Sequence, residues 1–510
     1  MRNMKKLLLL AATAFMVTAC GTTGGGASDG KQQLVVGQSS DAITLDLHAG
    51  NDASSSLVSG QIFETLVVQT PDMELVPGLA TEWTLLDDGI TWEFKLREGV
   101  TFHNGEPFTA NDVKFSFERA AGFAQVAPIL GDIDVSSLEV VDDYTVRVAT
   151  YYPFAPFLRN LAHGAAGIMN ASAVEGAGEQ VGQNPVGTGP FEFVNWRPGE
   201  EIELRRFEDY WGDKPVFESL VFRAIQENSN RLIELEMGQI DVAIGLAPTD
   251  VARVEADENL ILLRQSNFST QYIGMNTTDP ILSDVRVRQA LNYAIDVNLI
   301  LETVLEGVGG VSVGPIGSNV WGFNPDLTGY EYNPERAHEL LTEAGYPDGF
   351  PIEIWSSNSG TGPIIVEAVQ SMLGQVGVDV TVRQMEWGAY VDALNQGNHQ
   401  MFIMGWGTIT GDADYGLFAL FHSSQDASAG NRFFLDVPGL DELIDEARTL
   451  TDDDARREEL YWEIQNIIVE EAPWVFLVTG ETTVGTRTNI QGLRLAPSNH
   501  HRFAPVTFSE

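Results

Sequence analysis

Strand-like and helix-like patterns alternate along most of this 510-residue chain, and this interleaving limits the possible folds more than any other feature. Residues 91–96 alternate apolar and polar side chains, as a half-buried strand does, whereas 452–471 repeats apolar residues at helical spacing before Pro473. Further patterns are the strands 145–148, 201–204 and 378–382, a helix over 284–306 with Asp284 as N-cap, and a helix that begins at Pro334. We therefore expect a large α/β protein with two or more domains.

The N-terminus has the layout of a secretory signal. Lys5 and Lys6 precede an apolar stretch over 7–17, which is too short to span about 30 Å of hydrocarbon, and small residues precede Cys20. The ending Val-Thr-Ala-Cys is similar to the lipobox of bacterial lipoproteins, in which the cysteine is lipidated. Hence we expect a signal peptide at 1–19, a lipid anchor on Cys20 and a flexible tether at 20–33. An ordinary signal peptide with an incidental cysteine is the alternative.

Composition excludes several classes of protein. Cys20 is the only cysteine, so the chain has no intrachain disulfide and no cysteine-based metal site or nucleophile. The formal net charge is −43, which argues against nucleic acid and anionic membrane surfaces as partners. Because the acidic residues are scattered and lysine is scarce, we expect a protein that works in high salt. A basic partner protein is the competing explanation for the charge.

A series of short motifs, in order along the chain, resembles one known family. The motifs stand at 62–67, 75–83, 96–105, 107–113, 185–191, 209–212 and 284–290. They resemble the bacterial extracellular solute-binding proteins of the peptide/nickel class, family 5, which serve ABC importers. Within that family, the segments 405–417, 420–424 and 429–432 are most similar to the glutathione-binding branch of importer lipoproteins.

The resemblance implies a two-lobe periplasmic-binding-protein fold of class II type, α/β throughout, with an extra subdomain in the first lobe. Lobe I is expected at 34–271 together with 485–510, and its subdomain at about 59–178. Lobe II is expected at 272–484. The chain would cross between the lobes near 272–276 and near 479–484. A ligand bound between the lobes would favour their closed arrangement.

The resemblance also implies a receptor that captures a small peptide and delivers it to ABC permease subunits, with no catalysis and no cofactor. Dipeptide-binding members carry an acid soon after the Gly-Trp pair and an arginine in the segment that matches 356–363. In this chain Ile409 and Thr410 occupy the positions of that acid, and the segment 356–363 has no arginine. We therefore expect glutathione first, short peptides second, and a nickel chelate or sugar third. The expected protein is an extracytoplasmic monomer anchored to the plasma membrane.

The candidate contacts follow from the chemistry of a zwitterionic peptide, which needs acceptors for an ammonium, donors for carboxylates and aromatic walls. Trp406 lies in a Gly-rich loop and is the first aromatic candidate, with a lobe-packing role as the alternative. Arg432 is the candidate for a ligand carboxylate, with a surface salt bridge as the alternative. Asp412 and Asp414 are candidate ammonium acceptors, and each could instead cap its own loop. The remaining candidates are Thr410, Asn51, Asp52, Tyr272, Asn276, Trp387 and Trp355.

A different class of function is suggested by residues 310–314, which match the G-x-S-x-G motif of serine hydrolases. That motif needs a strand before the serine and a helix after it. Here a helical pattern precedes Ser312 and Pro315 follows. An exported serine hydrolase that uses Ser312 is the alternative function, and a surface adhesin or chaperone is another. The histidines form no H-E-x-x-H motif, so we expect no metal site.

Overall fold

A computed structural model describes residues 32–50 and 52–509 of the chain. The strands are β1 (Gln33–Gln38), β2 (Val67–Gln69), β3 (Leu75–Pro77), β4 (Ala80–Leu85), β5 (Thr91–Leu96), β6 (Glu139–Asp142), β7 (Thr145–Ala149), β8 (Phe191–Arg197), β9 (Glu201–Arg206), β10 (Ser219–Ala224), β11 (Val242–Ile244), β12 (Leu260–Met275), β13 (Gly310–Val311), β14 (Pro351–Ser357), β15 (Asp379–Met385), β16 (Met401–Gly407), β17 (Trp474–Arg487), β18 (Ile490–Gln491) and β19 (Thr507–Phe508). The α-helices are α1 (Ala53–Ile62), α2 (Ala110–Ala120), α3 (Ala127–Leu130), α4 (Phe157–Leu161), α5 (Ala171–Ala177), α6 (Asn228–Glu236), α7 (Pro248–Ala256), α8 (Val285–Tyr293), α9 (Val297–Thr303), α10 (Pro334–Glu343), α11 (Gly362–Gln375), α12 (Trp387–Asn395), α13 (Ala413–Phe421), α14 (Leu440–Thr449) and α15 (Asp454–Glu471).

The long strands β12 and β17 connect the two halves of the largest sheet. This sheet has eleven strands in the order β15-β14-β16-β12-β17-β11-β1-β10-β9-β8, with β13 beside β17. Antiparallel pairing of β12 with β17 runs as far as Ser266 and Glu481, is then interrupted, and resumes at Thr270 and Thr479. On β17 the interruption lies within the predicted crossing 479–484. On β12 it comes before the predicted segment 272–276.

Each half of the sheet has hydrophobic cores of its own. The half that contains β1 and β8–β11 packs around two clusters, one with Val36 and the other with Leu235. The half that contains β14–β16 has two further clusters, one with Ile354 and the other with Phe402. Because a unit with its own core can move as a body, we call the first half lobe I and the second half lobe II.

A smaller unit is inserted in the lobe I part of the chain. It contains the four-stranded sheet β4-β5-β7-β6 and a separate cluster of buried residues that extends from Leu66 to Ile168. Helix α2 begins there with a capping box, in which Asp112 accepts a hydrogen bond from the Thr109 backbone. We call this unit the subdomain. The residue limits given above for the lobes and the subdomain stay predictions.

Most of the local patterns predicted from the sequence form the expected element, but one predicted helix is wrong. Segment 91–96 is strand β5, and 452–471 contains helix α15. The predicted helix 284–306 is two helices, α8 and α9. Asp284 caps α8 as expected, but Asp296 accepts a hydrogen bond from Leu299 N and starts a second helix. Within the described ranges, no helix is long and apolar enough to cross a membrane.

Candidate ligand-binding site

One face of the lobe II sheet brings together two of the predicted contact residues, Tyr272 and Trp406. Trp406 and Met404 are two residues apart on β16, so their side chains lie on the same face. Tyr272 on β12 is the direct partner of Met404 in the antiparallel β12–β16 pair, which places its side chain on that face as well. All three belong to the hydrophobic cluster around Phe402. We call Tyr272, Met404, Trp406 and Arg432, described next, the lobe II site.

Arg432 lies against this face and is only 8% exposed. Its Nη1 is 3.6 Å from Met404 Sδ, and its Nε donates a hydrogen bond to Asn395 Oδ1 at 3.2 Å. His399 Nε2 donates to the carbonyl oxygen of Arg432 at 2.7 Å, which holds the backbone in place. Among the described residues, no carboxylate forms an ion pair with its guanidinium. The surface salt bridge considered as the alternative is therefore not found there, although acids outnumber bases by 72 to 29 in the chain.

Several buried polar atoms of lobe II have no hydrogen-bond partner in the described residues. They are Tyr272 Oη, Trp406 Nε1, Trp474 Nε1 and His399 Nδ1. Each such group costs about 1–3 kcal/mol when it stays unpaired. Burial raises the pKa of Tyr272, and Arg432 opposes this shift, so the phenol is a neutral donor at neutral pH.

The lobe II site thus combines a guanidinium and neutral N–H and O–H donors with aromatic surface. Tyr272 stacks on Trp474 with ring centroids 3.5 Å apart, and Trp406 lies 5.8 Å from Tyr415. A guanidinium binds a carboxylate through two parallel hydrogen bonds, which are about twice as strong as bonds between neutral groups. This arrangement offers hydrogen-bond donors suited to an anionic group of an organic ligand.

Asp412 and Asp414, predicted to accept a ligand ammonium, contact arginines of the protein. Asp412 Oδ1 is 2.6 Å from Arg457 Nη2, and Asp412 also caps helix α13. Asp414 Oδ2 is 2.7 Å from Arg448 Nη1. Burial raises the pKa of Asp414 to about 6, although Arg448 opposes this shift. The second oxygen of each carboxylate, Asp412 Oδ2 and Asp414 Oδ1, has no hydrogen-bond partner in the described residues, so the role of both as ammonium acceptors stays a prediction.

Thr410 and Asn276 have structural hydrogen bonds inside lobe II. Thr410 is buried, and its Oγ1 accepts a hydrogen bond from Asp412 N at 3.3 Å, which helps to hold the Gly-rich loop. Asn276 is also buried, and its Nδ2 donates to the His399 carbonyl at 3.0 Å while its Oδ1 accepts from Thr278 N. Asn276 therefore supports the turn that carries His399, and through it Arg432.

The two further tryptophans lie in different environments. Trp355 on β14 is buried, and its Nε1 donates to Glu353 Oε2 at 2.6 Å, while Arg383 lies over its ring. Trp387 begins helix α12 and is 55% exposed. Trp355 is thus packed in the lobe II core, and its contact with a ligand stays a prediction. Trp387 is available to a partner, but it is not in the cluster that holds Tyr272 and Trp406.

On lobe I, Asp52 is the predicted contact that the structure describes. Its Oδ1 caps helix α1 by accepting from Ser55 N at 2.9 Å. Its Oδ2 is buried and has no hydrogen-bond partner in the described residues, so it can accept a donor from a ligand. Asn51 and Cys20 lie outside the described residues.

Met404 and His399 were not predicted, although they position Arg432. Met404 belongs to a strand whose sequence is apolar around it, so nothing distinguishes it from a core residue. The register that sets it opposite Tyr272 depends on a strand more than a hundred positions away in the sequence. His399 lies between helix α12 and strand β16 without any motif around it. The one available signal was Arg432 itself, since an arginine directly before the apolar residues 433–435 needs an acceptor if it is buried with them.

The serine hydrolase motif lacks its required surroundings. Ser312 follows the two-residue strand β13 and is buried, and its Oγ donates to the Gly314 carbonyl at 2.8 Å. No helix follows directly, because the next one is α10. The alternative that uses Ser312 as a nucleophile is therefore not favoured.

Comparison with known proteins confirms the predicted fold. The family described as bacterial extracellular solute-binding proteins, family 5 middle region, matches residues 74–428. The chain is 32% identical over 489 residues to the glutathione-binding protein GsiB of Pectobacterium atrosepticum, covering 94% of this chain and 95% of the relative. It is also 32% identical over 484 residues to the dipeptide-binding protein of Escherichia coli, covering 89% and 90%.

Among solved structures, the chain is similar to the periplasmic binding protein DppA of Helicobacter pylori in complex with the peptide STSA. The TM-score is 0.78 at 29% sequence identity, and the match covers 94% of this chain and 99% of that one. The fold predicted from the sequence motifs is thus the two-lobe fold of these binding proteins. The chain belongs to the bacterial extracellular solute-binding proteins of family 5.

Proposed function

We propose that the protein is the lipid-anchored receptor of an ABC importer and that it captures a short peptide, with glutathione as the first candidate, between its lobes. Support comes from relatives named for binding glutathione and dipeptides, and from a solved neighbour that holds a peptide. The family consists of solute-binding proteins, so the proposed cycle is capture, closure and delivery to permease subunits, with no bond made or broken.

The observation that carries the proposal is the buried guanidinium of Arg432. A peptide always presents a carboxylate, and a desolvated arginine without an acidic partner is suited to bind it. The hydroxyl of Tyr272 and the indole N–H of Trp406 are further donors on the same face, and they have no hydrogen-bond partner in the described residues. Asp52 Oδ2 on lobe I is the matching acceptor for the ammonium end of the ligand.

The anchor belongs to the proposal because the receptor must stay close to its permease. A lipid on Cys20 would hold the lobes at the outer face of the plasma membrane. The mass of the N-terminal peptide from the cell-purified protein tests this step. An unmodified Cys20 thiol contradicts it.

Titration calorimetry of the mature protein tests the ligand class and the role of Arg432. The titrants are reduced and oxidised glutathione, di- and tripeptides, and a nickel–histidine complex. Replacing Arg432→Gln should weaken peptide binding about 10- to 100-fold, because a charge-assisted hydrogen bond contributes about 1.5–3 kcal/mol. Arg456→Gln is the control, since Arg456 is exposed on lobe II and pairs with Glu459.

The outcomes separate the candidate functions. Tight binding of the nickel complex and none of a peptide would move the protein to the nickel-chelate receptors of the same fold. Peptide hydrolysis that is lost in Ser312→Ala would favour the enzyme alternative. Equal peptide affinity in Arg432→Gln and Arg456→Gln would remove Arg432 from the site.

A further inference from the structure

Another arginine without an acidic ion-pair partner in the described residues, Arg502, stands on lobe I in the segment that follows β17. Arg502 is held by its neighbours, because Gln61 Nε2 donates to the His501 carbonyl at 2.8 Å and Phe503 N donates to Gln61 Oε1 at 3.2 Å. A Cβ built on Gly60 would lie 3.6 Å from Arg502 Nη1, so the guanidinium passes beside the last turn of helix α1.

This segment is also attached to the crossing strand. Thr482 on β17 donates from its Oγ1 to Asn499 Oδ1, three residues before Arg502. Thr482 directly follows Glu481, where the pairing between β12 and β17 is interrupted. Asn499, three residues before Arg502, therefore lies on lobe I beside the place where the two long strands pass into lobe II.

The guanidinium of Arg502 has no hydrogen-bond acceptor and no ion pair among the residues that the structure describes. The acidic residue that attracts the Arg502 guanidinium is Glu64, and the carboxylate oxygens of Glu64 already accept hydrogen bonds from three donors. Tyr210 Oη, Trp211 Nε1 and Thr188 Oγ1 each donate to them at 2.8 Å. Glu64 attracts Arg502 from a distance, but it leaves the N–H groups of Arg502 without an acceptor.

The rings beside Arg502 add no positive charge of their own at neutral pH. His163 and His500 lie with ring centroids 5.3 Å apart. Burial lowers the pKa of His163 to about 3 and that of His500 to about 4, so both imidazoles are neutral at pH 7. Arg502 is thus a half-buried cation beside neutral imidazoles, with Glu64 as the acidic group that acts on it from a distance.

We propose that Arg502 binds a second anionic group of the ligand, so that the receptor prefers peptides with an acidic group besides the terminal carboxylate. This inference rests on the proposed function, in which Arg432 on lobe II binds one carboxylate. A ligand with two anionic groups would then have one arginine on each lobe, and its binding would favour the closed arrangement. Because the net charge of −43 repels anions, such a ligand needs these two local cations.

Calorimetry with matched peptides tests the preference. The pairs Ala-Glu and Ala-Gln, and Glu-Cys-Gly and Gln-Cys-Gly, differ only in the charge of one side chain. We expect the wild-type protein to bind the acidic member of a pair about 10- to 100-fold more tightly, as one charge-assisted hydrogen bond allows. Arg502→Gln should reduce this ratio to near one and leave the affinity for the neutral member unchanged.

Two further variants make the result specific. Arg502→Lys keeps the charge but loses the two-pronged geometry, so it should retain part of the preference. Arg494→Gln is the control from the same segment, because Arg494 is exposed and pairs with Asp72. An unchanged ratio in Arg502→Gln overturns the role of Arg502 alone. Binding of no peptide by the wild-type protein overturns the proposed function, and the preference with it.

Discussion

At the scale of single residues, the acidic side chains of the Gly-rich loop after β16 could either bind a ligand or pair with arginines of the protein. Asp412 and Asp414 have the chemistry to bind an ammonium, but each has a guanidinium within 2.7 Å or less. The pair of Asp412 with Arg457 is almost fully buried, and the Arg457 guanidinium also lies 4.5 Å from the centre of the Trp321 ring. These two ion pairs hold the loop onto helices α14 and α15.

Replacing Asp412→Asn should lower the free energy of unfolding by about 3–5 kcal/mol, because it leaves the buried charge of Arg457 without its partner. Urea unfolding measures this loss. The control is Asp72→Asn, which breaks the exposed pair with Arg494 and should cost less than about 1 kcal/mol. A stable Asp412→Asn protein that has lost peptide affinity would instead return Asp412 to the ligand site.

At the scale of elements, helix α14 connects lobe II to the subdomain. Arg448 near its end pairs with Asp414 and reaches Asp132 Oδ2 at 3.3 Å and Tyr152 Oη at 3.1 Å. Its carbonyl accepts from Ala155 N at 2.9 Å. Burial raises the pKa of Tyr152 to about 12, so its hydroxyl stays neutral and donates to Asp132. These contacts join two units that have separate cores.

If the subdomain moves with lobe I, the bond between Arg448 and Asp132 exists only when the lobes are closed. Asp132→Asn should then weaken peptide binding about 2- to 10-fold, since one hydrogen bond contributes about 0.5–1.5 kcal/mol. Small-angle scattering should show a larger radius of gyration for this variant without ligand. Glu139→Gln is the control, because its pair with Arg147 lies within the subdomain. Equal affinity and size for both variants would show that this contact does not favour closure.

At the scale of the whole molecule, buried histidines should make the fold sensitive to acid. Burial lowers the pKa of His48, His399 and His501 to about 4 in each case, against about 6.5 in an unfolded chain. Between these values the unfolded chain binds more protons than the folded one. The stabilisation is therefore complete above pH 6.5 and is lost as the pH falls toward 4.

The measurement is urea unfolding at pH 7 and at pH 5 in the same salt. Each buried histidine should account for about 2 kcal/mol of the loss at pH 5, so His501→Asn should show a loss smaller by that amount. His338→Gln is the control, because this residue lies on an exposed part of helix α10. A wild-type protein that is more stable at pH 5 than at pH 7 would contradict the prediction.

Much of the fold could be predicted because the signals are local. Asn333 before Pro334 caps helix α10, and its Oδ1 accepts from Arg336 N as the pattern indicates. The same reasoning gave the wrong prediction at Asp296. The helical spacing of apolar residues continues past it, but its side chain caps a second helix. Apolar spacing reports which face of an element is buried, but it does not report whether a side chain ends one helix and begins another.

The amino-acid sequence by itself determined the α/β class, the family and the first candidates for the site, because motifs and periodicity involve residues close together in the chain. Only the tertiary structure decided which charged groups are free to meet a ligand. Arg159 and Asp412 are brought to 3.5 Å across about 250 positions of sequence, while Arg432 and Arg502 form no ion pair in the described residues. An ion pair forms wherever the fold places two charges together, so composition alone could not show which arginines remain without one.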